Sequence, residues 1–173
     1  MMRMLAASAL LLLAAVATAS PEANLPQQAM EKMMNCPVCS AWNAEPALGP
    51  TMRYSITQTK SGYIETLQTA DESMKPAFDR CAAECEKRAA GIPTMSAEQK
   101  GKLCAICVGH MKLMERKDLS FENVSTPLGL VMVGSANSPE GVKALHAYAA
   151  TAQKQADLMA QAHQPAGTMK SKM

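Results

Sequence analysis

The chain has 173 residues, with 17 Lys+Arg against 15 Asp+Glu, and 48% of its residues are hydrophobic. The charges are interspersed, with no basic stripe or acidic block, which excludes nucleic acid or an anionic membrane surface as an expected partner. The six aromatic residues (Trp 1, Tyr 3, Phe 2) are outnumbered by 15 methionines, and there are six cysteines, so any large core is built from small and soft side chains.

The first 19 residues read as a secretory leader. Arg3 is its only charge, Leu5 to Ala17 is apolar except for Ser8, and Ala17-Thr18-Ala19 offers small residues to a signal peptidase. The apolar stretch gives roughly 20 Å of helix, too short for a hydrocarbon layer of about 30 Å. The expected product starts near Ser20, is periplasmic or secreted, and has no membrane association after cleavage. Export makes disulfides a live option for the cysteines.

After the leader, Gln27–Met34 has helical composition and runs into Cys36-Pro37-Val38-Cys39. Tyr54–Thr59 and Tyr63–Thr69 alternate as strands around Lys60-Ser61-Gly62, where glycine is expected to supply a left-handed turn residue. A helix is expected from about Asp71 to Ala90, carrying Cys81 and Cys85. Gly91–Thr94 then links it to a second series of elements. Ser96, with Glu98 and Gln99 close to capping-box spacing, caps a helix expected to reach about Lys117 and to contain Cys104, Cys107 and His110. Phe121–Thr126 and Leu130–Val133 form a second hairpin. Pro139 opens a last helix to about Ala162, on which His146, Tyr148 and Lys154 read as a solvated face.

These two series align. Cys36 and Cys39 fall on Cys104 and Cys107 at an offset of 68, and after a one-residue gap Thr59, Gly62, Ala77, Ala82 and Lys87 fall on Thr126, Gly129, Ala144, Ala149 and Lys154 at 67. The expected architecture is α+β: a duplicated α-β-β-α unit, residues 20–90 and 95–163, whose hairpins join in one four-stranded antiparallel sheet packed with helices. Residues 164–173 read as a frayed tail.

The chemistry lies in three thiol pairs. Cysteines three or four apart on a helix share a face and can converge on one ion. If the helices of the first unit pack side by side, Cys36 and Cys39 meet Cys81 and Cys85 as a four-thiolate site or two disulfides. Cys104 and Cys107 find Tyr148 and Ala152 where the first unit has Cys81 and Cys85, so they form a second or shared site, with His110 as a further ligand. Thiolate, imidazole and the nearby methionines Met111 and Met114 are donors for a soft ion, Cu(I) first and Zn(II) next. The leading expectation is therefore an exported, non-enzymatic protein that binds copper or zinc for sequestration or transfer. The alternatives are a disulfide-stapled scaffold for a protein partner and a dithiol oxidoreductase.

Cys36-Pro37-Val38-Cys39 resembles the active-site sequence of thioredoxin-like oxidoreductases, which implies a reactive thiol at Cys36. The likeness covers four residues. It follows Gln27–Met34 rather than a β-branched strand, and no counterpart of the family's later cis-proline loop is found. No phosphate loop, nucleophile elbow or paired-carboxylate motif occurs.

Overall fold

A computed structural model describes residues 25–162; the expected leader, 1–19, and the expected tail, 164–173, lie outside them. Helix α1 (Leu25–Met34) ends where Asn35 and Pro37 intervene, because a residue before proline is pushed out of helical geometry. Two short 3-10 helices, Cys39–Ala44 and Pro46–Thr51, lead to strand β1 (Met52–Thr59) and its partner β2 (Gly62–Thr69). Helix α2 (Lys75–Ala90) follows, entered through a 3-10 turn at Glu72–Met74 that Asp71 caps through the Ser73 amide.

The single helix expected from Ser96 to Lys117 is two helices, α3 (Ala97–Gly101) and α4 (Ala105–Met114). The Ser96–Gln99 capping box is present, but the chain extends again at Cys104, which becomes the N-cap residue of α4 with ψ of 167°. Strands β3 (Leu119–Thr126) and β4 (Gly129–Ala136) precede α5 (Pro139–Ala162).

The four strands form one antiparallel sheet, as the sequence predicts, and the structure sets its order, β1-β2-β4-β3. Both hairpins have eight-residue strands, stand at the offset of 67 and share one internal register, Met52 opposite Thr69 and Leu119 opposite Ala136. The central pairing sets Gly62 against Ser135 and Gln68 against Gly129. The correspondence stops there. Cys36–Cys39 leads into a 3-10 helix while Cys104–Cys107 opens an α-helix, and α2 has 16 residues where α5 has 24. Duplication of the whole unit therefore remains a reading of the sequence.

Gly62 is the first residue of β2, and its backbone is not left-handed. Its role is close approach: a Cβ there would lie 2.0 Å from the Gly134 carbonyl oxygen. Gly129 answers it in the other hairpin, where a Cβ would lie 2.3 Å from the Leu67 oxygen. The matched glycines let the two central strands meet.

Helices α2 and α5 cover one face of the sheet. Under α5, buried Tyr63, Leu113, Leu145, Tyr148, Ala149 and Ala152 pack with Tyr54, Ile56, Phe121 and Met132. Under α2, Leu48, Ala77, Phe78 and Cys81 pack with Met52, Leu67 and Leu130. Tyr148 is thus core, contrary to the expected solvated face, because it follows Leu145 by three residues on the same side of α5. Glu65 also points to this face; the Tyr148 hydroxyl donates to its carboxylate at 3.5 Å, and burial raises its pKa. Helix α1 packs on α5, where Gln155 Nε2 donates to the Ala29 carbonyl at 3.3 Å.

Two substitutions test this packing by urea unfolding. Leu145 is fully buried, so Leu145→Ala costs about 2–5 kcal/mol. Gly62→Ala meets backbone rather than a movable side chain and costs about 3 kcal/mol or more. A loss below about 1 kcal/mol in either variant contradicts the arrangement.

Candidate metal centre

The third core cluster adjoins the one under α5, and Ile106 packs against both. Three of its six buried residues are cysteines: Cys36, Cys104 and Cys107, packed with Val38, Ile92 and Leu103. Cys39, half-buried, completes a group of four. Their Sγ atoms all lie within 4.8 Å of one another. Cys39 lies 3.4 Å from Cys107 and 3.5 Å from Cys104, and Cys36 lies 3.7 Å from Cys107, Sγ to Sγ.

These separations have a chemical meaning. A disulfide holds its sulfurs at about 2.05 Å, and all six cysteines here are free. Four sulfurs bound tetrahedrally to one ion at about 2.3 Å stand about 3.8 Å apart along each edge. The observed group is the size of a single-ion tetrahedron. It is too tight to enclose a cluster of several metals, whose terminal sulfurs must spread further.

Each Cys-x-x-Cys forms the same local knuckle. The Ser40 amide donates to the Cys36 carbonyl at 2.9 Å and the Val108 amide to the Cys104 carbonyl at 3.0 Å. Cys36 is held below the ordinary thiol range by hydrogen bonding with Cys104, Cys107 and Cys39, in that order. Cys104 is lowered chiefly by Cys107. Cys39 and Cys107 are pushed up, first by their hydrogen bonds to Cys104, and so keep their protons. A divalent cation can displace those protons, since metal ligation requires the deprotonated form.

The structure therefore pairs Cys36 and Cys39 with Cys104 and Cys107, across the two halves of the chain. It does not bring Cys81 and Cys85 into the group. Cys81 sits in the core under α2, its Sγ 3.6 Å from the Ala41 carbonyl. Cys85 packs against the edge of the cysteine cluster, its Sγ 3.6 Å from the Val38 carbonyl, and burial pushes its pKa up to about 12. His110 lies outside the group as well. Its ring stacks on Phe121 at 5.9 Å and meets the edge of Tyr148 at 6.2 Å. Met111 packs against the thiol cluster, whereas Met114 is 61% exposed. No residue of the group escaped the sequence analysis; what local spacing lacked was the partner of each pair.

Compared with known protein families, curated proteins and solved structures, the chain matches none.

His110 yields a pH prediction. Burial lowers its pKa from the ordinary 6.5, so the folded protein binds fewer protons there than the unfolded chain. Stability is then unaffected above that value and is lost as pH falls through it. Urea unfolding at constant metal load between about pH 7.5 and 5.5 is expected to show this slope, flattened in His110→Gln. Equal slopes in both proteins would remove His110 as its source.

Proposed function

We propose that this is an exported, non-enzymatic protein that binds one soft metal ion through Cys36, Cys39, Cys104 and Cys107. The observation that carries the reading is the convergence of four thiols, from two segments far apart in the chain, on a tetrahedron of single-ion size. Such convergence would be costly to maintain for no ligand, because thiols in an apolar pocket gain little from one another beyond ordinary packing.

Donor number bears on the ion. Four thiolates in tetrahedral array suit Zn(II), whereas Cu(I) is well served by fewer sulfurs. The geometry thus favours zinc first and copper second, the reverse of the order suggested by the Cys, His and Met content of the sequence. A site closed by four protein ligands leaves no position for water or substrate, which supports retention of the ion rather than catalysis on it. The ion would also join the segment after α1 to the start of α4, so holding metal and holding this part of the fold become one property. The scaffold reading with bridged cysteines is less well supported, since Cys39 lies at near-equal distances from both Cys104 and Cys107.

Native mass spectrometry of the mature protein, set against its denatured mass, tests the reading. One metal mass per chain is expected, with a fully reduced denatured polypeptide. Cys104→Ser is expected to lose the ion and Cys81→Ser to keep it. A metal-free native mass with a denatured mass reduced by two protons per cysteine pair would contradict the proposal, as would equal metal loss in both variants.

A further inference from the structure

The two knuckles are supported unequally. Cys104 and Cys107 stand at the N-terminus of α4, a ten-residue helix whose first amides and dipole favour thiolates. Cys36 and Cys39 have no such helix, because the chain there takes up only a six-residue 3-10 helix that begins at Cys39. Their support comes from the side. α2 lies along the Pro37–Ala41 segment, and one face of it touches that segment repeatedly. Cys81 Sγ donates to the Ala41 carbonyl and Cys85 Sγ to the Val38 carbonyl, each at 3.6 Å. Arg88 Nη1 donates to Ser40 Oγ at 2.9 Å and reaches the Pro37 carbonyl at 3.5 Å. Intervals of four and three residues place the three side chains on one helix face. The guanidinium is itself oriented, since its Nε donates to the Glu84 carboxylate at 2.9 Å.

We propose that Cys85 and Arg88 are positioning residues of the four-thiol centre, holding the Pro37–Ser40 backbone so that Cys36 and Cys39 present their sulfurs together. The inference rests on the metal-binding reading above. Four thiolates around a divalent ion form a doubly negative unit in an apolar surround, and such charge needs compensation. Arg88 brings a guanidinium to the knuckle that lacks a helix N-terminus. Cys85 contributes through its S–H donor, which explains a cysteine close to the centre that does not belong to it. Residues of this kind hold ligands in place and typically change metal affinity 10- to 100-fold when removed.

The test uses the full mature chain, with Zn(II) affinity from competition with a chromogenic chelator and Co(II) absorption as a signature of ligand geometry. Cys85→Val and Arg88→Gln are expected to keep one ion per chain, bind it about 10- to 100-fold more weakly, and shift the cobalt ligand-field bands. Cys85→Ser, which retains a donor for the Val38 carbonyl, is expected to stay close to the parent protein. Wild-type affinity in both Cys85→Val and Arg88→Gln overturns the proposal, as does an equal loss in Cys85→Ser and Cys85→Val, which would mean packing alone. Arg88 is at the partly exposed edge of α2, so Arg88→Gln decides the matter if Cys85→Val does not fold. A parent chain that takes up neither zinc nor cobalt would instead remove the metal-binding reading itself.

Discussion

Four thiols meet in an apolar cluster of this molecule, and neither of the two segments that carry them could bury its cysteines alone. Cys36 and Cys39 lie on a stretch with no regular α-helix, while Cys104 and Cys107 begin one. Their sulfurs approach to 3.4–3.7 Å, so a modest shift of either segment would break the group. A site of this size tolerates errors of only about half an ångström before its geometry is lost. The elements around it can be understood as the means of meeting that tolerance.

The sheet provides the frame. Its central strands meet at Gly62 and Gly129, where side chains would collide with the neighbouring backbone. Helices α2 and α5 then lie on one face, over separate clusters centred on Phe78 and on Tyr63 with Leu145. α2 carries its far end along the first knuckle, and α5 packs against α1 and α4, which flank the thiols. The break between α3 and α4 belongs to the same arrangement. An uninterrupted helix would fix Cys104 in helical geometry, whereas the structure places it in the extended N-cap conformation, with its sulfur in the four-thiol group. Here the covalent order of the chain yields to the needs of the knuckle.

Much of this was legible from residue patterns, because it depends on local chemistry. Alternation around short turns marks both hairpins, Ser96 and Gln99 mark a helix start, and Pro139 marks another. The cysteine partners were not legible for a physical reason. Spacing shows which thiols share a face, but the element facing them is chosen by packing between distant segments. Cys81 and Cys85 do share a helix face, and that face meets carbonyls of the knuckle loop. Strand orientation misleads in the same way at Ile64 and Glu65. Hydropathy would bury the isoleucine, yet Ile64 is 41% exposed and Glu65 turns inward, since Tyr63 must fill the centre of the core. Polar partners such as Tyr148 make that inversion tolerable. The role of Gly62 is hidden for a related reason, since a turn glycine and a close-approach glycine look alike in sequence.

The central claim is that one ion sits among Cys36, Cys39, Cys104 and Cys107. X-ray absorption at the metal edge of the loaded protein tests it most directly. The account predicts a single shell of four sulfur neighbours at about 2.3 Å, with no nitrogen or oxygen in the first shell and no metal–metal scattering. A mixed shell containing nitrogen or oxygen, or a second metal within bonding range, would contradict it.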